Sequence, residues 1–125
     1  MCANLRSPPV GSSLADLARA VATARGTKLV ARPADVIVGG RPAKHVVLTA
    51  RKSSGCRTGF SFTWRDMKAG ALWQMTSAGD KIRVWLVDVD GTRLFIEAET
   101  TEQPGPELQR EIQRIVESIR FELVR

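Results

Sequence analysis

The chain has 125 residues, with 19 Lys and Arg against 13 Asp and Glu, a net charge of +6, and 43% hydrophobic residues. That length gives one domain with a real core, and the composition is that of an ordinary globular protein. No apolar run approaches a membrane-spanning helix, and the first 13 residues, MCANLRSPPVGSS, have no apolar h-region, so a secretory signal is absent from this stretch.

Residues 1 to 12, rich in Pro, Ser and Gly, read as a leading segment, and residues 13 to 125 as a single domain, the C-terminal part of a longer protein. Ser13-Leu14-Ala15-Asp16 has the form of a capping box, in which hydroxyl and carboxylate serve free N–H groups of the first turn. Leu14, Leu17, Ala18 and Val21 follow at helical spacing, and Gly26 suits a C-terminal cap. The pattern predicts a helix over 14–24.

Asp35 to Val38 reads as a short strand, Gly39-Gly40 as a hairpin turn, and Ala43 to Ala50 as a longer strand with Pro42 at its start. His45, within that strand, reads as structural or exposed rather than catalytic. Arg51 to Gly59 is a basic loop containing Cys56. Phe60 to Trp64 and Ala71 to Thr76 read as strands around a turn at Asp66 to Gly70.

Ile82 to Thr100 is the clearest element. Asp90-Gly91 between two apolar runs predicts a type I′ hairpin, since both central residues must take φ > 0. The turn sets Asp88 opposite Arg93, Leu86 opposite Phe95 and Trp85 opposite Ile96. One face then carries Trp85, Val87, Leu94, Ile96 and Ala98. The other carries Ile82, Val84, Leu86 and Phe95, with Glu97 and Glu99 at its far end. Two apolar faces predict a sheet covered on both sides. Gln103-Pro104-Gly105-Pro106 breaks the strand. Leu108, Ile112, Ile115, Val116 and Ile119 then mark an amphipathic helix over 106–119, followed by Phe121-Glu122-Leu123 as a short strand or docked tail. The whole predicts an α+β domain: a mostly antiparallel sheet of about 5–6 strands covered by an N-terminal and a C-terminal helix.

Three groups of residues bear on chemistry. WLVDVDGT, residues 85–92, resembles the DxDGT motif of haloacid dehalogenase-like phosphatases, which would make Asp88 a nucleophile and Asp90 an acid/base. Against this, no Asp follows Asp90 to hold magnesium, and the chain continues as a strand where that family needs a crossover helix. Between Arg41 and Lys68, seven Lys and Arg stand against one Asp, an electrostatic surface for an acidic partner or nucleic acid. The nearby Phe60, Phe62 and Trp64 alternate as core residues do, which favours a solvated basic loop. Trp64, Trp73 and Trp85, with Arg83, Arg51 and Arg57, form the candidate ligand-binding surface, although Trp85 also reads as core. Cys2 and Cys56 lack metal-site spacing and His45 cannot complete a site, so neither metal nor other cofactor is expected. The two cysteines are a disulfide or two plain thiols.

The order of pieces is similar to the Mog1/PsbP-like α/β/α sandwich. It more closely resembles uncharacterised bacterial extracytoplasmic domains with a Cys before a Pro-rich lead, V-x-V-x-G-x-P-x-K, a second Cys before an aromatic strand, R-x-W-x-x-D-V-D-G, and I-V-x-S-I. Here these are Cys2, Pro8-Pro9, Val36 to Lys44, Cys56 to Trp64, Arg83 to Gly91, and Ile115 to Ile119. The resemblance implies an extracytoplasmic location and a Cys2–Cys56 bridge, which would close a loop of about 55 residues and stabilise by roughly 4 kcal/mol. A free Cys2, or a lipidated one, are the other readings. It carries no catalytic residues. The function expected is therefore a non-enzymatic binding or interaction module for a protein or small molecule, with the phosphatase and anionic-partner readings as alternatives.

Overall fold

The computed structural model describes residues 13–24, 27–50, 79–101 and 103–122, and the backbone of the pairs 61–62, 65–66, 70–71 and 74–75. The elements in chain order are α1 (Leu14–Ala22), β1 (Thr27–Val38), β2 (Arg41–Ala50), β3 (Ser61–Phe62), β4 (Arg65–Asp66), β5 (Gly70–Ala71), β6 (Gln74–Met75), β7 (Lys81–Val89), β8 (Thr92–Thr100) and α2 (Pro106–Glu117). One antiparallel four-stranded sheet, ordered β1-β2-β7-β8, forms the centre.

The predicted count of 5–6 strands is too high for this sheet. β2 pairs directly with β7, from Ala43 opposite Val87 to Thr49 opposite Lys81, so no strand enters between them. The stretches expected at 60–64 and 71–76 pair with each other instead, β3 with β6, and a second two-residue ladder, β4 with β5, takes in Asp66 and Gly70, the ends of the expected turn.

The central hairpin takes the expected register, with Asp88 opposite Arg93, Leu86 opposite Phe95 and Trp85 opposite Ile96. Asp90 and Gly91 have φ of 51° and 88°, the left-handed pair that a type I′ turn requires. Gly39 and Gly40, at 57° and 77°, make a matching turn between β1 and β2. Arg41 Nη1 donates to Asp90 Oδ1 at 2.6 Å and ties the two turns together.

Each helix covers one face. On the first, Leu17, Ala18, Val21 and Ala24 pack against Val46, Leu48 and Ala50 of β2 and Ile82, Val84 and Leu86 of β7. Several of these are fully buried, and each such Leu or Ile contributes about 1.5–3 kcal/mol. The capping box of α1 is present in both halves: Asp16 N–H donates to Ser13 Oγ at 3.0 Å, and Ser13 N–H to Asp16 Oδ2 at 3.3 Å. Hydrogen bonding of the Asp16 carboxylate to the Ser13 side chain, and then to Ser13 N–H, holds that carboxyl below its usual range. α1 ends at Ala22, slightly short of the expected 24, because Thr23 caps it by donating its hydroxyl to Arg19 O at 2.9 Å. Gly26 lies outside the described residues.

On the second face, Val116 packs with Val38, Ala43, Trp85 and Val87, and Ile112, Ile119 and Phe121 join it. α2 begins with Gly105 as N-cap and Pro106 in the first turn, as expected, and ends at Glu117, two residues before the predicted 119. Ser118 terminates it by donating Oγ–H to Ile115 O at 2.6 Å. Phe121 docks on this cluster outside any strand, and Leu123 lies outside the described residues.

The strand read as Asp35 to Val38 is in fact twelve residues long, Thr27–Val38. Two one-residue register shifts against β2, between Leu29 and Ala31 and between Ala31 and Ala34, break its alternation. Pro33 sits within the second shift, where a missing N–H costs no ladder bond. β1 is an outer strand of the described sheet and mostly exposed, so it has no apolar period to read.

Candidate functional site

The α2 face of the sheet carries an unusual column of side chains. Register sets His45 of β2, Trp85 of β7 and Ile96 of β8 side by side, and one step along sets Val47, Arg83 and Ala98 side by side. Strand alternation then places His45, Trp85 and Arg83 on one surface. The His45 ring stacks on the Trp85 ring, with centroids 4.6 Å apart and planes 6° from parallel. The Arg83 guanidinium carbon lies 5.6 Å from the Trp85 ring centroid, within range of a cation–π contact.

Two polar atoms in this column are buried with no hydrogen-bond partner: His45 Nε2 and Arg83 Nε. Such an atom costs about 1–3 kcal/mol of desolvation that nothing in the fold returns. Burial, and then the charge of Arg83, push the His45 pKa down to about 4, so its imidazole is neutral at pH 7. Cross-strand, Arg83 meets Val47 and Ala98, neither of which can neutralise it.

Beside this column lies an open cleft of about 670 Å³, between the end of β8 and the first turns of α2. Leu108 and Ile112 line it from the helix, Ala98, Glu99, Thr100 and Thr101 from the end of β8, and Asp80 from the residue before β7. Ala98 belongs to both features, since it lines the cleft and stands opposite Arg83. Leu108 is exposed although it lies on the apolar stripe of α2.

The other face of β8 holds Glu97, opposite Val84, and Glu99, opposite Ile82. Burial, and then the charge of Glu99, raise the Glu97 pKa to about 8. Sequence reading placed both residues on this face without foreseeing that one would be protonated at neutral pH.

Of the residues proposed from sequence, Arg83 stands at the site just described. Trp64, Trp73, Arg51 and Arg57 lie outside the described side chains, as do Cys2 and Cys56. Trp85 is buried, as a core residue. His45 was read as structural; its stacking depends on the β2–β7 register, and no local signal gives that register. Asp88 and Asp90, which the DxDGT resemblance singles out, both serve the hairpin turn. Asp88 Oδ1 accepts from Gly91 N–H at 2.9 Å, and Asp90 pairs with Arg41. Within the basic stretch, Arg41 is thus paired, and Lys44 pairs with Asp35 at 2.5 Å. Among the described residues no three His, Cys, Asp or Glu side chains converge to hold a metal, and no helix is long and apolar enough to cross a membrane.

Comparison of the chain with protein-family models, with curated proteins and with solved structures finds no match.

Proposed function

We propose that this chain is a non-enzymatic binding module whose ligand surface is the α2 face of the sheet, around Arg83 and the adjoining cleft. The observation that carries the reading is Arg83: a cation on a central strand, stacked near Trp85, with a buried Nε–H that nothing in the fold satisfies. A fold gains little from such a group, whereas a binding surface uses it as an anchor. The open, partly apolar cleft beside it supports the same reading.

The module is extracytoplasmic in this reading, the accessory or sensory part of a larger protein, with the Cys2–Cys56 bridge and the Mog1/PsbP-like architecture that its sequence resembles. The helix–sheet–helix layering supports that architecture at the level of the α+β class.

The test is a titration of the ¹⁵N-labelled protein with a panel of small acids, amines and neutral apolar compounds, followed residue by residue by NMR. Shifts gathered on Arg83, the Trp85 indole, Ala98 and Leu108 are expected. Shifts confined to other surfaces, or none with any compound, would refute the reading.

A further inference from the structure

We propose that Arg83 and His45 form a seat for a single carboxylate, and that the ligand is a monocarboxylic acid with an apolar body lying in the cleft under α2. The proposal rests on the binding-module reading and gives that site its chemistry.

The two unsatisfied atoms are of the kind a carboxylate completes. Arg83 Nε–H, with one Nη–H, presents the side-on pair of parallel donors that fits the two carboxylate oxygens. His45 Nε2 is the second unsatisfied atom, and the Nε2–H tautomer of its neutral ring supplies a further donor. Trp85 holds both groups, stacking His45 at 4.6 Å and lying under the Arg83 guanidinium. Neither donor has to be released from an existing partner before a ligand binds.

The cleft sets the rest of the ligand. It reaches Ala98, whose small side chain stands opposite Arg83 on the neighbouring strand. Two residues further along β8, about 7 Å on, is Thr100. Leu108 and Ile112 give the body of the ligand an apolar wall.

The experiment uses octanoate as probe, with octanol and octylamine as neutral and cationic counterparts, at pH 7 on the full chain. Octanoate is expected to shift the Arg83 Nε–H and His45 Nε2 resonances, and to bind at least about tenfold more tightly than octanol or octylamine. Arg83→Gln should weaken octanoate at least about tenfold and leave octanol unchanged. Ala98→Leu, which fills the mouth of the cleft, should weaken all three probes. Thermal unfolding of each variant establishes that it is folded. Equal affinity for octanoate and octanol, or an Arg83→Gln variant that binds octanoate normally, would overturn the carboxylate seat. If octanol or octylamine then shifts Ala98, Leu108 and Ile112, the binding-module reading stands without it. If no compound shifts the cleft or Arg83, both fail.

Discussion

His45 lies flat on Trp85, and its Nε2 is buried without a hydrogen-bond partner. The stack joins the two central strands of the sheet across their register, and Trp85 carries it into the cluster under α2. Removing the larger ring therefore opens a cavity on that face. Trp85→Ala should cost about 3–5 kcal/mol, and Trp85→Phe less, since Phe retains a ring against His45. Chemical denaturation of the variants measures both, and an unchanged midpoint for Trp85→Ala would show that the column is not packed as described.

Two groups give stability opposite pH dependences. His45 titrates near 4 in the fold and near 6.5 unfolded, so the unfolded chain binds more protons between those values. Its contribution is full above about pH 6.5 and is lost as pH falls toward 4. Glu97 titrates near 8 in the fold and near 4.5 unfolded, so the folded chain binds more protons. Its contribution is full below about pH 4.5 and is lost as pH rises through 8. The two oppose each other between pH 4.5 and 6.5, and between 6.5 and 8 Glu97 acts alone of the pair. Urea midpoints should thus fall as pH rises from 6.5 to 8. Glu97→Gln should remove that slope, and His45→Phe should remove the loss on acidification. A slope above pH 6.5 that survives Glu97→Gln would contradict the burial of Glu97.

The two turn glycines between β1 and β2 separate strain from crowding. Gly39 has φ +57°, and a Cβ there would come within 2.7 Å of the Phe121 ring. Gly40 has φ +77° and open space around it. Gly40→Ala should cost about 1–2 kcal/mol for the left-handed backbone alone. Gly39→Ala should cost more and should also loosen the tail, which near-ultraviolet dichroism and exchange at residues 119–121 would report. Equal losses at the two positions would mean that Phe121 does not rest on Gly39.

Asp88 and Asp90 are held by Gly91 N–H and Arg41, in a turn that continues directly into β8. The non-enzymatic reading predicts no magnesium-dependent hydrolysis of a generic phosphate ester, and an Asp88→Asn variant indistinguishable from the parent in that assay. Hydrolysis lost in Asp88→Asn would establish the phosphatase alternative instead.

The parts of this fold that were readable from sequence are those whose signal is local. Asp90-Gly91 fixed one hairpin and all its cross-strand pairs, Ser13 and Asp16 fixed the start of α1, and Pro106 that of α2. The parts that were not readable depend on partners distant in the chain. Arg93 Nη1 donates to Ser13 O at 3.1 Å, eighty residues away, a contact with no sequence signature. β1 hid behind Pro33 and two register shifts that only its pairing with β2 makes sense of. At the site, Arg83 was named only as an Arg accompanying the tryptophans, and His45 joined it only once β2 and β7 were aligned.

The measurement that tests the central claim most directly is the stability of Arg83→Met without any ligand. A buried Nε–H without a partner costs about 1–3 kcal/mol, against about 0.5–1 kcal/mol returned by the contact with Trp85 at a partly exposed site. If Arg83 is kept for binding, Arg83→Met is at least as stable as the parent, because the unbound fold carries that cost for its ligand. A loss of about 2 kcal/mol or more would make Arg83 a structural residue and contradict the account.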